Sequence, residues 1–430
     1  TNLLLRLLRD DGAIVYLNEM EVARSNMPEE NVDYLTQAST PVDGSDENRF
    51  YIYPVCSELL RQGNNIVAVE IHQGYPESSD ISFDLELVPA IPDRIRLIKG
   101  PYLIYPGENT TMTILWQMSA ETSCILQWGL SSENLIYTSM TTEYGDDHQH
   151  KFTISDLTPG KRYNYHLKAD ADEYQGSFKA APSNNSINVK FMIYGDTQSY
   201  ADIHDAVAVQ MIETYVNDPA YQTFTLHAGD RVDFGDEELE WANKIYNPNQ
   251  KNIRQFQANM PINGCKGNHE ETGILFKKYW PYPYIDDFYW SFDYGPVHIV
   301  ILDQYVSYEP ASKQYNWLVN DLAETDKKWI CILLHEPGWS AGAHDNNTDV
   351  QKNIQFLCET YGVDIVFSGH NHYYYARANV NNVQHITLGG GGGDLYEPDT
   401  SYPYIQCAEK YIISVRWRYM GTSLTLWLIG

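Results

Sequence analysis

Basic residues are scarce in this chain: 29 Lys and Arg stand against 57 Asp and Glu in 430 residues, a formal net charge of −28. That balance argues against nucleic acid as a partner, because phosphate backbones are gripped by Lys/Arg stripes. It favours solubility, secretion or a saline setting, although a solvated acidic surface explains it equally well. Cysteine is sparse too. Cys56, Cys124, Cys265, Cys331, Cys358 and Cys407 show no CxxC pair and no regular spacing, which argues against zinc ribbons and dithiol redox motifs. Cys331 lies in a strand-like run and Cys358 in a helical pattern, so buried free thiols are the expectation and no disulfide is assigned. No apolar run reaches the length of a transmembrane helix. No leader is recognisable, but the chain has no initiator Met and opens inside Leu3-Leu4-Leu5-Arg6-Leu7-Leu8. It reads as a processed or incomplete chain, so the missing leader says little. No internal repeat is evident.

What is present suits several domains. The length exceeds one ordinary domain, and a hydrophobic fraction of 43% is enough for full cores. The 34 tyrosines fit β-rich modules. Residues 1–95 alternate as strands, most strictly in Asp80-Ile81-Ser82-Phe83-Asp84-Leu85-Glu86-Leu87. Ala90-Ile91-Pro92-Asp93 reads as a linker. Residues 96–183 give short strands punctuated by turns, the pattern of a small sandwich. From residue 184 to 430 strands alternate with helical stretches, at Ile203 to Tyr215, Glu237 to Tyr246, Ser312 to Leu322 and Val350 to Tyr361, which predicts a layered α/β domain. Tyr411 to Tyr419 and Leu424 to Leu428 read as a closing hairpin.

Short polar clusters follow apolar, strand-like runs throughout the C-terminal half. They are Gly195-Asp196-Thr197-Gln198, Gly229-Asp230, Gly267-Asn268-His269-Glu270, His335 and Gly369-His370-Asn371-His372. Carboxylates, an amide and imidazoles at successive strand ends are what a two-metal hydrolytic site needs. Each cluster alone has an ordinary explanation: Asp196 and Asp230 as turn or capping residues, His335 as a loop histidine, Gly369 to His372 as a polar turn. The ordered set is specific, and it resembles the calcineurin-like metallophosphoesterase superfamily.

The upstream modules extend the resemblance. "KGPYLIYPGENTTMTILWQ" and "HKFTISDLTPGKRYNYHLKAD" resemble the fibronectin-type-III-like N-terminal domain of purple acid phosphatases. "DDGAIVYLNEMEVARSNMP", "LLRQGNNIVAVEIHQ" and "SSDISFDLEL" look like the later strands of a galactose-binding-like jelly roll, incomplete here because earlier strands would precede Thr1. The expected architecture is therefore multidomain: two N-terminal β-sandwich modules, 1–95 and 96–183, then an α/β metallophosphoesterase domain, 184–430. The N-terminal modules are candidate binders of glycan or protein, a role that the fold alone does not establish.

By this resemblance Asp230 is the bridging carboxylate. Asp196 and His372 would bind the first metal ion, and Asn268, His335 and His370 the second. The ions would be two divalent or trivalent transition metals (Fe, Mn or Zn), and the reaction hydrolysis of a phosphate mono- or diester by hydroxide held on them. The different-class alternative is a secreted surface, binding or assembly protein retaining a slow or inactive site. His269 resembles the histidine that assists the leaving group, and His344, nine residues after His335, is a second substrate-facing candidate. The chain departs from the family in two places. The first motif has Gln198 where most of the superfamily has histidine. Three residues after Asp230 stands Asp233, where purple acid phosphatases have a metal-binding tyrosine. The first ion is thus short of a ligand. His204 is favoured slightly over Gln198 to supply it, because imidazole is the better donor. Arg231 is more readily a supporting arginine than a phosphate contact. The run Gly389 to Gly393 lacks the Lys-Ser/Thr of a P-loop and suits a loop in close approach beside the metals.

Overall fold

The computed structural model describes residues 3–29, 32–42, 44, 49–76, 81–89, 95–170, 172–410, 414–420 and 423–429, the last two ranges as backbone. The chain forms two units, Thr1–Arg94 and Ile95–Gly430.

The first unit is built from two three-stranded sheets. One runs in the order Phe50–Val55, Leu3–Arg9, Phe83–Pro89, and the other Met20–Ser25, Gly12–Leu17, Val67–His72. Strand side chains alternate between faces. Leu3, Leu5 and Leu7 therefore point one way and meet Ala13, Val15 and Leu17 in one buried cluster.

The second unit begins with a sandwich of seven strands, four in one sheet and three in the other. Trp116, Leu126, Tyr165, Leu167 and Phe178 fill its interior. Polar bonds tie this sandwich to the C-terminal α/β domain. Tyr165 Oη donates to Ala258 O at 2.8 Å and Tyr102 Oη to Tyr279 O at 2.7 Å. Asn263 exchanges two bonds with the Tyr105 backbone, both at 3.0 Å, and Lys99 pairs with Glu238 and Tyr279.

The α/β domain contains a five-stranded and a seven-stranded sheet. In the first, Ile262–Gly264, Thr225–His227 and Lys190–Tyr194 are parallel, and Ser414–Met420 and Ser423–Ile429 continue it antiparallel. In the second, Val297–Ile301, Trp329–Leu333, Ile365–Ser368 and Val383–Thr387 are parallel. These central strands are apolar on both faces, as covered parallel strands must be. Ile299, Ile301, Leu333 and Phe367 share a core with Met192 and Leu226 of the facing sheet. Val300, Ile332, Leu334 and Val366 pack instead against Leu318, Leu322, Ile354 and Leu357. Helix Lys313–Glu324 supplies Leu318 and Leu322, and the π-helical turn Val350–Ile354 with the helix Gln355–Tyr361 that continues it supplies Ile354 and Leu357. Helix Lys313–Glu324 is capped by Ser312, whose hydroxyl accepts from Tyr315 N–H at 3.2 Å. Helix Ala201–Asn217 buries Val207, Ala208, Met211 and Tyr215, a stripe at helical spacing.

Some elements differ from the sequence reading. The helix expected over 237–246 is one α-turn, Glu238–Glu240, continued by a π-helical turn, Trp241–Ile245. Helix Lys251–Asn259 has little sequence signal, since Lys251-Asn252-Ile253-Arg254-Gln255-Phe256-Gln257 offers few apolar residues. Strand Leu97–Ile104 is disguised in the sequence because Gly100-Pro101 interrupts it. The turn of the C-terminal hairpin and the linker at 90–93 lie outside the described residues.

Candidate metal centre

Each polar cluster sits just past the C-terminal end of a parallel strand. Lys190–Tyr194 carries Asp196, Thr225–His227 carries Asp230, Ile262–Gly264 carries Asn268, Trp329–Leu333 carries His335 and Ile365–Ser368 carries His370 and His372. The crevice outside those strand ends is where open α/β sheets place ligands. Asp196, Asp230 and His370 have left-handed backbones, with φ of 58°, 55° and 68°. Non-glycine residues adopt that region rarely, and such strain concentrates at functional sites. It turns the chain sharply at the strand end and brings these side chains together.

The ligand atoms of Asp230, His335 and His370 all lie within 4.8 Å of one another. His335 Nε2 is 3.0 Å from Asp230 Oδ2 and 3.1 Å from Asn268 Oδ1, and His370 Nδ1 is 3.1 Å from the same amide oxygen. On the other side His372 Nε2 is 3.6 Å from Asp196 Oδ1 and 3.1 Å from Gln198 Nε2. Backbone carbonyls orient the rings. Ala228 O lies 2.7 Å from His335 Nδ1, and Asp394 O 3.1 Å from His372 Nδ1. Each carbonyl accepts from an Nδ1–H, which makes Nε2 the ring nitrogen that faces the site.

Burial and charge set the ionisation. Burial disfavours the charged form of His335, but Asp230 and then Asp196 outweigh it and push its pKa up to about 10. Burial would also raise Asp230, yet His335 beside it holds that carboxyl down at about 2. Asp196 is pushed well above the carboxylate range by burial, only partly countered by His335. Burial lowers His370 to about 3 and His372 to about 4, so both rings are neutral lone-pair donors near neutral pH.

The donor set fits metal ions. Asp196 Oδ2 and Gln198 Oε1 are buried and have no hydrogen-bond partner. Buried oxygens of this kind normally find a donor or a cation. Carboxylate, amide oxygen and imidazole are the ligands that borderline transition ions take.

Several supporting residues escaped the sequence reading. Glu270 is fully buried and accepts from three backbone N–H groups: Asp230 at 3.0 Å, Arg231 at 2.6 Å and Gly267 at 2.6 Å. Its place directly after His269 was the available signal. Gln304 Oε1 accepts from His335 N–H at 2.7 Å and Glu336 N–H at 2.6 Å. Tyr396 stacks on His372, with ring centroids 4.8 Å apart. The glycine run Gly389 to Gly393, by contrast, is the close-approach loop that the sequence suggested: Gly391 N–H donates to Gly195 O at 2.9 Å and Gly393 N–H to Asp196 O at 3.0 Å. A Cβ on Gly393 would stand 2.6 Å from the His372 ring.

Other sequence candidates fall into distinct places. His269 N–H donates to Asp230 Oδ1 at 2.9 Å, and its Nδ1 lies 2.7 Å from Asp233 O. His344 is exposed, with its ring 4.3 Å from that of His370. Arg231 is fully buried, donates to Cys265 O at 3.1 Å and lies over Phe276 and Trp280, so it supports the site from behind. His204 is buried beside Tyr194, with centroids 5.8 Å apart, and burial lowers its pKa to about 3. The structure brings Gln198, not His204, to hydrogen-bonding distance of His372.

Residues 189–374 match the calcineurin-like phosphoesterase family, and residues 98–182 match the purple acid phosphatase N-terminal domain. The chain carries both domains, the purple acid phosphatase N-terminal domain first. Several of its curated relatives are purple acid phosphatases. Purple acid phosphatase 22 of Arabidopsis thaliana is 29% identical over 56% of this chain and 58% of its own length. Purple acid phosphatase 18 of the same plant is 34% identical over 30% of this chain and 35% of its own. The chain thus spans between about a third and three fifths of these relatives. Among solved structures, a purple acid phosphatase from yellow lupin (Lupinus luteus) seeds shares the fold with a TM-score of 0.66 at 16% identity, covering 97% of this chain and 88% of that one. No helix among the described residues is long and apolar enough to cross a membrane.

Proposed function

We propose that the chain is a dinuclear-metal hydrolase of phosphate mono- or diesters. The observation that carries this reading is the convergence of Asp196, Asp230, Asn268, His335, His370 and His372 from five strand ends, with buried oxygens left unsatisfied between them. Asp230 would be shared by both ions. Asp196 and His372 would hold the first, and Asn268, His335 and His370 the second. When bound, the ions supply Lewis acidity that offsets phosphoryl charge and makes water a nucleophile near neutral pH.

The chain's own residues do the rest. The Asp233 carbonyl takes the His269 Nδ1–H, so Nε2 is the end of the ring that can exchange a proton with the leaving oxygen. His344, exposed beside His370, would meet a substrate oxygen. Glu270 and Gln304 keep the loops beneath these groups fixed through backbone N–H bonds.

The test is metal content together with turnover. Purified protein should hold close to two transition-metal ions per chain and hydrolyse members of a chromogenic phosphoester panel. Asp230→Asn should lose at least one ion and most activity. A variant with full occupancy and full turnover would remove Asp230 from the bridging role, and a metal-loaded but inert wild-type chain would favour a binding or assembly protein. An extracellular or periplasmic setting, supported by the net charge of −28, is tested by fractionating cells that express the full gene.

A further inference from the structure

Asp196, His372 and the shared Asp230 are the only residues assigned above to the first metal position, and three observations indicate how it is completed. The residue three places after Asp230 is Asp233, and its carboxylate is already occupied. Ser199 N–H and Ser199 Oγ–H each donate to it at 2.9 Å, and Lys244 Nζ stands 3.1 Å away. It ties the first-motif loop to the helical segment carrying Lys244 and is not a spare ligand. His204 lies on the buried stripe of helix Ala201–Asn217, among Val207, Ala208 and Met211. Its ring packs beside Tyr194, and the charged groups that act on it are Asp205 and Arg231, not the ligand carboxylates.

Gln198 differs from His204 in its place, beside His372, and not in lacking a partner, since His204 Nδ1 is also buried without one. It is 1% exposed, its Nε2 is 3.1 Å from His372 Nε2, and its Oε1 has no partner. Asp196, two residues earlier on the same loop, also has an unpartnered buried oxygen. The Asp394 carbonyl accepts from His372 Nδ1–H, so the Nε2 lone pair takes the Gln198 amide N–H and the amide oxygen is left over. An imidazole nitrogen, a carboxylate and an amide are thus gathered at one place, two of them with unsatisfied oxygens, which is unfavourable for an interior without a cation.

We propose that the amide oxygen of Gln198 completes the first metal site. The proposal rests on the dinuclear reading above. An amide is neutral and a phenolate carries one negative charge, so the exchange removes one unit of negative charge from the ligand set. It also leaves no tyrosinate to give the metal a visible charge-transfer colour.

The experiment is stepwise loading of the full chain with Co²⁺ or Mn²⁺, followed by ion counting, cobalt absorption and manganese EPR. Wild type should take up two divalent ions and remain without a tyrosinate band when loaded with iron. Gln198→Ala should keep the second ion and weaken the first by at least ~10–100-fold, the loss typical even of a supporting group. Gln198→His, which restores Asp-x-His spacing, should recover the first ion. His204→Phe keeps the ring volume beside Tyr194 and should leave both affinities unchanged. The assignment is overturned if His204→Phe loses the first ion while Gln198→Ala retains it, or if iron-loaded wild type is violet. A wild-type chain that binds no ion overturns the dinuclear reading itself, and this assignment with it.

Discussion

Replacing Glu270 by glutamine should destabilise the phosphoesterase domain by roughly 2–5 kcal/mol without touching any proposed ligand. The magnitude comes from the bonds. Glu270 Oε2 accepts from Asp230 N–H at 3.0 Å and Gly267 N–H at 2.6 Å, and Oε1 accepts from Arg231 N–H at 2.6 Å. Bonds to a charged acceptor contribute about 1.5–3 kcal/mol each and neutral ones about 1 kcal/mol. Glutamine keeps one acceptor oxygen and places an NH₂ where the other stood. At least one backbone N–H then faces a donor, and the bonds that remain fall to neutral strength. The loops affected are those that carry Asp230 and Asn268, so metal retention should weaken in parallel. Guanidinium unfolding followed through the buried Trp241, Trp280 and Trp290 reads the change. Glu309→Gln, which removes the same charge at an exposed site, is the control. If Glu270→Gln unfolds at the wild-type midpoint and holds its metal as tightly, the three bonds do not clamp the loops.

Three further outcomes rest on the same geometry. His269→Ala should retain metal and lower kcat by roughly 10²–10⁴-fold for esters with poor leaving groups, but much less for nitrophenolate, which needs little protonation; equal losses would make His269 a positioning residue. His298 stands between Asp293 at 2.8 Å and Asp321 at 2.9 Å, and although burial opposes its charge, these carboxylates push its pKa up to about 9. A raised folded pKa means that this stabilisation is complete below about 6.5 and lost as pH rises through about 9. It should amount to something on the order of 2 kcal/mol after allowing for the half-exposed Asp293, and His298→Gln should flatten that part of the stability profile. Deleting residues 1–94, a unit with its own core, should leave kcat on a small phosphoester nearly unchanged; lost turnover with the remaining circular dichroism intact would place part of the site in that unit.

The strand ends were legible because central parallel strands are apolar on both faces, so Lys190–Tyr194, Trp329–Leu333 and Ile365–Ser368 stand out as continuous hydrophobic runs, each succeeded by polar residues. The inward place of His204 was also written in the sequence, in a different pattern. Val207, Ala208, Met211 and Tyr215 mark the buried stripe of its helix, and position 204 falls on that stripe, facing the core. Donor chemistry favours His204 as a ligand, whereas this periodicity favours a core position. Glu270 and Gln304 are harder to read. They act by accepting backbone N–H groups from other loops, and no side-chain pattern announces which backbone a carboxylate or amide will meet.

The left-handed turns show why the ligands could be named before their geometry could. At Asp196 and Asp230 the residue type is compatible with positive φ, yet neither propensity nor periodicity requires it. The requirement is tertiary. Once Asp196 Oδ1 accepts from His370 N–H at 2.7 Å, and Asp230 Oδ1 from His269 N–H at 2.9 Å, each carboxylate fixes the loop that carries another proposed site residue. These two bonds offset the cost of the strained backbone, of order 1–3 kcal/mol per residue. They also leave the second oxygen of each carboxylate directed elsewhere: Asp230 Oδ2 to His335 at 3.0 Å, and Asp196 Oδ2 to no protein partner. A carboxylate that commits one oxygen to its neighbour's loop and keeps the other for the interior is both scaffold and proposed ligand. Removing it should therefore disturb loop placement and metal binding together.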